Sequence, residues 1–204
     1  LHVYAVDFGG GGLAGLAGLP HCGAVLAANE RERHQRLIRF LADEVARRRD
    51  LDAATRASEP QIVVAVDGAP AFLADFDGLE GQETLDAFKR VLAEGTGVGV
   101  SFILTADRSG ALPMRLLASV TCRYLFHQAD PGDFATIGVR PRELPDFVPG
   151  RAVHGDSKLV TQIACVGDSR AMVASIAAAA AADPVVRLPD AIEALPTAIT
   201  TGTV

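Results

Sequence analysis

The apolar positions of this chain fall into short unbroken runs and longer stretches where they recur every three to four residues. The most compact run is Ile62-Val63-Val64-Ala65-Val66, with Pro60 upstream and Gly68 and Pro70 downstream. A short run that is apolar on both faces and rich in β-branched residues predicts a central strand of a parallel sheet, covered on both sides. His2-Val3-Tyr4-Ala5-Val6-Asp7 predicts a second strand, and 98–105, with Val100, Phe102, Ile103 and Leu104, predicts a third. Residues 123–127 predict a further strand. Residues 150–154 and 159–166 predict a terminal hairpin that turns at Gly155-Asp156-Ser157.

Helical spacing appears between these runs. Leu37, Ile38, Leu41 and Val45 form one apolar stripe, opposite Arg33, Arg36, Asp43, Glu44 and Arg47. Asn29 is the expected N-cap, with Glu32 three residues on as its capping-box partner. Arg47-Arg48-Arg49 in the last turn suits the helix dipole, and with acids interleaved along that face the expectation is a solvated surface. A second amphipathic helix carries Leu85, Phe88, Val91 and Leu92 inward and is stopped by Gly95-Thr96-Gly97. Phe72, Leu73 and Phe76 belong to a short helix or turn, 111–119 reads as helical, and Asp130-Pro131-Gly132-Asp133 opens a short helix to about 136. Ser169 is the expected cap of an alanine-rich helix over 170–182, broken by Asp183-Pro184. The rest reads as connection: 16–26 irregular around Pro20, 52–59 a polar linker, and 185–204 a linker with extended pieces at 185–187 and 192–195.

Alternating strands and helices imply an α/β fold, whose ligands bind outside the carboxyl ends of the strands. At that edge the central strand delivers Asp67, and the first strand delivers Asp7. The third strand brings Thr105-Ala106-Asp107-Arg108 to the same rim. A strand ending on an aspartate has the geometry of a Walker B acid, which holds Mg²⁺ through water beside a nucleotide phosphate. The structural alternative is that Asp67 caps a turn or the helix that follows. Gly10, Gly12 and Gly15 satisfy G-x-G-x-x-G after a strand, but Pro20 leaves no room for the helix that a dinucleotide fingerprint needs. Gly9 to Gly12 therefore reads as a flexible loop or tight turn. No Gly-Lys-Ser/Thr occurs in the chain.

Composition narrows the function. A chain of 204 residues with 49% hydrophobic content supports one α/β domain with a real core. The net charge of −6 argues against an autonomous DNA-binding module. Trp is absent and aromatics are 5%, which leaves little for base stacking. No run of 18 apolar residues suggests a membrane span, and the opening strand pattern leaves no place for a signal peptide. Cys22, Cys122 and Cys165 form no CxxC pair, so buried cytosolic thiols are expected rather than disulfides or zinc ligands.

Five pieces, in order, carry a resemblance. They are Tyr4-Ala5-Val6-Asp7-Phe8 with the four glycines after it; Gly18-Leu19-Pro20-His21; 63–68; Leu104-Thr105-Ala106-Asp107-Arg108; and Cys122-Arg123 leading to Ala129-Asp130-Pro131-Gly132-Asp133-Phe134. Together they resemble the FtsK/SpoIIIE family of ATPases, and more closely the EccC-type motor ATPases of type VII secretion systems. Gly150-Arg151-Ala152 is similar to a late strand of that family, and Val185-Val186-Arg187-Leu188-Pro189 to the link between successive ATPase domains. The resemblance implies a RecA-like, P-loop NTPase three-layer sandwich with a mostly parallel central sheet and a C-terminal antiparallel hairpin. It implies that 1–166 is the C-terminal portion of an ATPase domain and that 167–204 is a helix and linker toward a following domain.

The resemblance further implies ATP and Mg²⁺ as ligands, with Asp67 at the metal, Thr105 as a sensor contact and Arg108 as a phosphate sensor. Arg115 and Arg123 resemble arginines that face a neighbouring subunit, and one sequence does not choose between them. Implied partners are neighbouring ATPase domains of the same motor, secreted substrate proteins and further copies in a hexameric ring, with no direct nucleic acid. The implied location is cytoplasmic, at the inner face of the membrane.

Two departures from the pattern bear on activity. The strand, Walker A loop and helix expected ahead of the first segment are not in this chain, and Gly68 stands where an active motor has an acid after the Walker B aspartate. The expectation is a degenerate domain that binds nucleotide, regulates or docks substrate rather than hydrolysing strongly. The alternatives are a fragment of a DNA-translocating FtsK-type motor, which the acidic charge disfavours, and a non-catalytic α/β docking scaffold. A Rossmann oxidoreductase is a distant fourth.

Overall fold

In the computed structural model, which describes residues 1–108, 110–182 and 187–195, four parallel strands form the central sheet. They are β1 (His2–Asp7), β2 (Cys22–Ala27), β3 (Ile62–Asp67) and β4 (Val100–Leu104), in the order β2-β1-β3-β4. β1 pairs with β3 in unbroken register from His2↔Ile62 to Asp7↔Asp67, so the two strand-end acids are lateral neighbours. Parallel neighbours need crossovers. α1 (Arg31–Arg49) supplies one between β2 and β3, together with the short α2 (Ala53–Ser58). α3 (Ala69–Asp75) and α4 (Gln82–Glu94) supply the one between β3 and β4.

Tyr4, Val6, Leu26, Ile62, Val64, Val66 and Val100 share a core with Leu37, Ile38, Leu41 and Val45 of α1 and with Leu85, Phe88, Val91 and Leu92 of α4. Phe72 and Phe76 complete it. Phe72 packs within 5.1–5.3 Å, centroid to centroid, of Phe76 and Phe88. Burying each such ring contributes roughly 1.5–3 kcal/mol. β3 is interior, as its sequence predicts, but its burial alternates: Val63 and Ala65 are only half-buried, and Ile103 on β4 is 59% exposed. Both faces of β3 are covered, one of them more fully than the other.

A second unit follows α5 (Met114–Leu117). β5 (Tyr124–Leu125), β6 (Arg151–His154) and β7 (Val160–Gln162) make an antiparallel sheet, in which β6 and β7 are the predicted hairpin. Phe134, Ile137, Val139 and Val153 form its small core. α6 (Ser169–Ala182) closes the described helices.

Several local expectations are corrected. The stretch 16–26 contains β2, whose alanines and Gly23 lack the β-branched signature. A Cβ on Gly23 would overlap the Tyr4 ring and approach the Asp190 carbonyl. Small residues are therefore required where strand, ring and tail meet. α1 starts at Arg31 without side-chain capping by Asn29; Glu30 instead accepts the Ala27 N–H at 2.7 Å. The linker 52–59 folds as α2 because the Asp52 carboxylate accepts the N–H groups of Ala54 and Thr55. Asp168, rather than Ser169, holds the first turn of α6 by accepting the Ala171 N–H at 2.9 Å. The helix expected over 111–119 and the strand over 123–127 shrink to α5 and β5, and 131–137 is a 3-10 turn.

Arg48 is also not solvated: it is 1% exposed, donates to Glu44 Oε1 at 2.7 Å, and donates to the carbonyls of Pro60 and Val98. This guanidinium ties the end of α1 to the entries of β3 and β4. The linker likewise packs down. Ile192 joins the main core, Tyr4 Oη donates to the Asp190 carbonyl at 2.9 Å, and Arg33 Nε donates to the Ile192 carbonyl at 2.8 Å. Of the extended pieces expected in the tail, 185–186 lie outside the described residues and 192–195 form no strand. Cys122 and Cys165 are exposed and Cys22 half-buried, which corrects the expectation of buried thiols.

Candidate functional site

The carboxyl ends of β1, β3 and β4 build one rim. Asp67 ends β3, and its Oδ1 accepts the Thr105 hydroxyl at 2.5 Å from the segment after β4. The same hydroxyl oxygen accepts the Gly68 N–H at 2.9 Å. Thr105 therefore uses both its donor and an acceptor position to fix the turn that leaves β3. Next to it, the Ala69 N–H donates to the Thr105 carbonyl and the Phe8 N–H to the Asp67 carbonyl. Arg108 lies three residues beyond Thr105, exposed, and so within about 11 Å of it along the chain.

Asp7 is the neighbour of Asp67 but has a different task. The glycine loop folds back over it, with Gly10 and Gly11 at φ +101° and +94°. Its carboxylate accepts the N–H groups of Gly9 and Gly11 at 3.0 Å and of Leu13 at 2.8 Å. Burial alone would raise the Asp7 pKa, but these amides outweigh it and hold the carboxyl below its ordinary value. Of the two expectations for this loop, the tight turn is the one that forms, wrapped around an anion, and a 3-10 turn over Ala14–Gly18, not a long helix, follows it.

Gly9 is a site residue that the sequence did not single out. A Cβ there would overlap the Asp67 carboxylate, so the β1 loop approaches the acid as closely as a bare backbone allows. Only the absence of a side chain in a glycine-rich stretch hinted at this. Gly68, directly after the acid, is the N-cap of α3 at φ +73°, and a Cβ on it would stand 3.0 Å from Phe8 Cβ.

The donor set fits a hard cation. An aspartate carboxylate and a threonine hydroxyl at one rim, with Oδ1 on the hydroxyl and Oδ2 against Gly9, are the hard oxygen donors that Mg²⁺ takes, with water completing the shell. Asp7, already holding three amides, is not part of that set. No group of three or more His, Cys, Asp or Glu poised for a metal occurs among the described residues. The two candidate intersubunit arginines lie on separate elements. Arg115 is exposed on α5 and lines a shallow groove of about 250 Å³ with Leu73, Ala74, Leu85 and Lys89, while Arg123 is half-buried just before β5. No helix among the described residues is long and apolar enough to cross a membrane.

No family model matches the chain. In an alignment of 170 positions that covers 74% of this chain, it is 30% identical to the ESX-1 secretion system protein EccCb1 of Mycolicibacterium smegmatis strain MKD8, of which the match covers 28%. It is 27% identical over 177 residues to the ESX secretion system protein EccC of Geobacillus thermodenitrificans, matching 80% of this chain and 12% of that protein. The chain thus spans less than a third of the length of these curated relatives. Among solved structures, EssC (ATPases 2 and 3) from Geobacillus thermodenitrificans superposes with a TM-score of 0.78 at 23% identity, over 98% of this chain and 42% of that one. Thermomonospora curvata EccC (ATPases 2 and 3), in complex with a signal sequence peptide, gives 0.76 at 20% identity, over 96% of this chain and 39% of that one. This chain is a homologue of the EccC and EssC ATPases of type VII secretion systems, with the RecA-like fold of their ATPase domains.

Proposed function

We propose that this chain is the Walker B side of a degenerate ATPase domain in a type VII secretion motor, one that holds nucleotide or docks substrate rather than hydrolysing ATP strongly. The observation that carries the reading is Gly68. Where the resemblance implies a second acid, the chain has a left-handed glycine against Phe8, a backbone that disfavours any side chain. The other strand-end carboxylate, Asp7, is consumed by its amide cradle. Neither is available to polarise an attacking water.

In this reading Mg²⁺, when bound, would neutralise phosphate charge, and Asp67 would hold it through water. Thr105 orients Asp67, and Arg108 reaches for phosphate from the same rim. Residues 1–166 act as the ATPase portion and 167–204 lead toward a following domain. The wider setting is a motor at the inner face of the membrane, with sister ATPase domains and further copies of the chain as neighbours. Arg115 or Arg123 would face such a neighbour.

The groove between α3, α4 and α5 supports substrate docking. Leu73, Leu85 and Leu116 line it together with Asp77, Lys89 and Arg115, a mixture suited to a peptide with apolar and charged side chains. A relative of the same fold binds a signal sequence peptide.

The test is phosphate release by the chain with Mg²⁺ and ATP, together with equilibrium binding of a fluorescent ATP analogue. The expected result is no turnover. Sustained release that Asp67→Ala abolishes would overturn the assignment.

A further inference from the structure

Away from the sheet rim, four side chains gather where the segment before β5 meets the end of β6. The Cys122 sulfur lies 3.3 Å from His154 Nε2. On the far side of that ring, Nδ1 receives the Ser157 backbone N–H at 3.1 Å and lies 2.9 Å from the Ser157 hydroxyl. Nδ1 must therefore be the acceptor, which leaves Nε2 carrying the proton in the neutral ring and pointing it at the sulfur. Tyr124, paired with His154 across β5 and β6, stacks edge-on against the imidazole at 5.2 Å. Its hydroxyl lies toward the same sulfur, and the charge of that thiol holds the Tyr124 hydroxyl above its ordinary pKa.

The arrangement is fixed by backbone. Gly155 N–H donates to the Arg123 carbonyl at 2.7 Å, and Lys158 closes the turn at φ +60°, its N–H donating to the His154 carbonyl at 3.0 Å. A Cβ on Gly155 would stand 3.1 Å from Arg123 Cβ and 3.7 Å from Arg123 Nε, so a guanidinium lies beside the imidazole turn. Cys122 itself is exposed.

From this geometry we propose that Cys122 is a modification site: a nucleophilic thiol, presented by His154 and Tyr124, that is capped by small disulfides. The form that reacts in such exchange is the thiolate, and the imidazole N–H directed at this sulfur is a donor to the charge that the attack uses. In the step, the Cys122 thiolate attacks one sulfur of a small disulfide. A new S–S bond forms, the old one breaks, and the departing thiolate takes a proton from water. No second cysteine stands within the cluster to resolve the mixed disulfide, so the cap persists until an external thiol removes it. Capping places a bulky group beside Arg123 and against the β5–β6 pairing.

The other cysteines are internal controls. Cys165 is also exposed, but its thiol donates to the Val166 carbonyl instead of facing an imidazole. Cys22 is half-buried, and burial pushes its thiol up.

The test incubates the 204-residue chain with oxidised glutathione at pH 7 and follows each cysteine by mass spectrometry. Cys122 is expected to be modified at least tenfold faster than Cys165. His154→Gln and, to a smaller degree, Tyr124→Phe are expected to bring Cys122 down toward the Cys165 rate with far-ultraviolet circular dichroism unchanged. Tyr124→Phe keeps the ring packing and so serves if the His154 variant does not fold. Equal rates for Cys122 and Cys165 in the parent chain, or an unaltered Cys122 rate in both variants, would overturn the proposal. This readout does not depend on nucleotide or secretion.

Discussion

Gly9 and Asp67 lie so close that a single methyl group on the glycine would occupy the space of the aspartate carboxylate. Two segments that are 58 residues apart in the chain are thereby brought into one rim by the in-register pairing of β1 and β3. The proximity explains why the first loop is backbone only at that point. It also leaves Asp67 pinned between that loop and Thr105.

Substituting Gly9 should therefore disturb the acid rather than the loop. Gly9→Ala is expected to push Asp67 off the Thr105 hydroxyl, lower stability by about 1–3 kcal/mol, and weaken any Mg²⁺-dependent nucleotide binding. Thermal denaturation and fluorescent-nucleotide titration would check both. A variant with unchanged melting temperature and unchanged binding would contradict the pinned geometry.

Gly68→Glu tests whether the missing acid can simply be restored. A side chain at φ +73° against Phe8 carries backbone strain, so the variant should lose about 1–2 kcal/mol of stability and gain no ATP turnover. Gly68→Asn, which tolerates the left-handed region better, should lose less. Recovery of turnover in the Glu variant would show that the backbone here accommodates a catalytic acid.

Asp7→Asn probes the amide cradle. The folded Asp7 carboxyl is held below its ordinary value, so its contribution is present above the unfolded-chain pKa and is lost as pH falls through the folded one. The parent chain should thus lose stability in acid more steeply than the variant. At neutral pH the variant should already be weaker by about 1–3 kcal/mol, because an amide donates where only acceptors fit. Denaturant titrations at neutral pH and in the carboxylate range would show both effects.

His34 predicts a dependence nearer neutrality. It is fully buried among Phe8, Phe72 and Phe76, and burial lowers its pKa below 6.5, opposed by the charges of Asp75 and Glu30. The unfolded chain takes up a proton before the folded one does, so stability is full above about pH 6.5 and falls as the pH drops below it. His34→Phe should flatten that slope, leaving the part that comes from His2, whose pKa burial also lowers. Melting curves between pH 5 and 8 that stay parallel for parent and variant would count against the assignment.

Arg48→Ala should be the most costly single change on α1. It leaves Glu44 short of one partner and the carbonyls of Pro60 and Val98 without their shared donor, a loss of about 3–5 kcal/mol for a broken buried pair. Arg48→Met refills the volume and should cost less. Urea titration of the two variants orders them.

The elements legible in sequence were those whose cause is local. The valine run of β3, the stripes Leu37-Ile38-Leu41-Val45 and Leu85-Phe88-Val91-Leu92, and the β6–β7 hairpin carry their period or turn residues in plain view, and each forms. The meeting of Asp67 and Thr105 was also foreseeable, because parallel strands in one sheet bring their carboxyl ends to one edge.

What the chain alone could not disclose depended on contacts between distant segments. β2 forms by pairing with β1, and the small Gly23 that leaves room for the Tyr4 ring and the Asp190 carbonyl weakens its strand signature. Arg48 is buried because three carbonyls from two strand entries and one carboxylate converge on it, and nothing in Arg47-Arg48-Arg49 distinguishes the middle residue. The glycine loop is ordered because Asp7 draws its amides inward, while Gly9 is a site residue only because β1 lies beside β3. Local periodicity is written in the order of the residues, whereas close approach, shared acceptors and burial of charge exist only once remote parts of the backbone have been brought together.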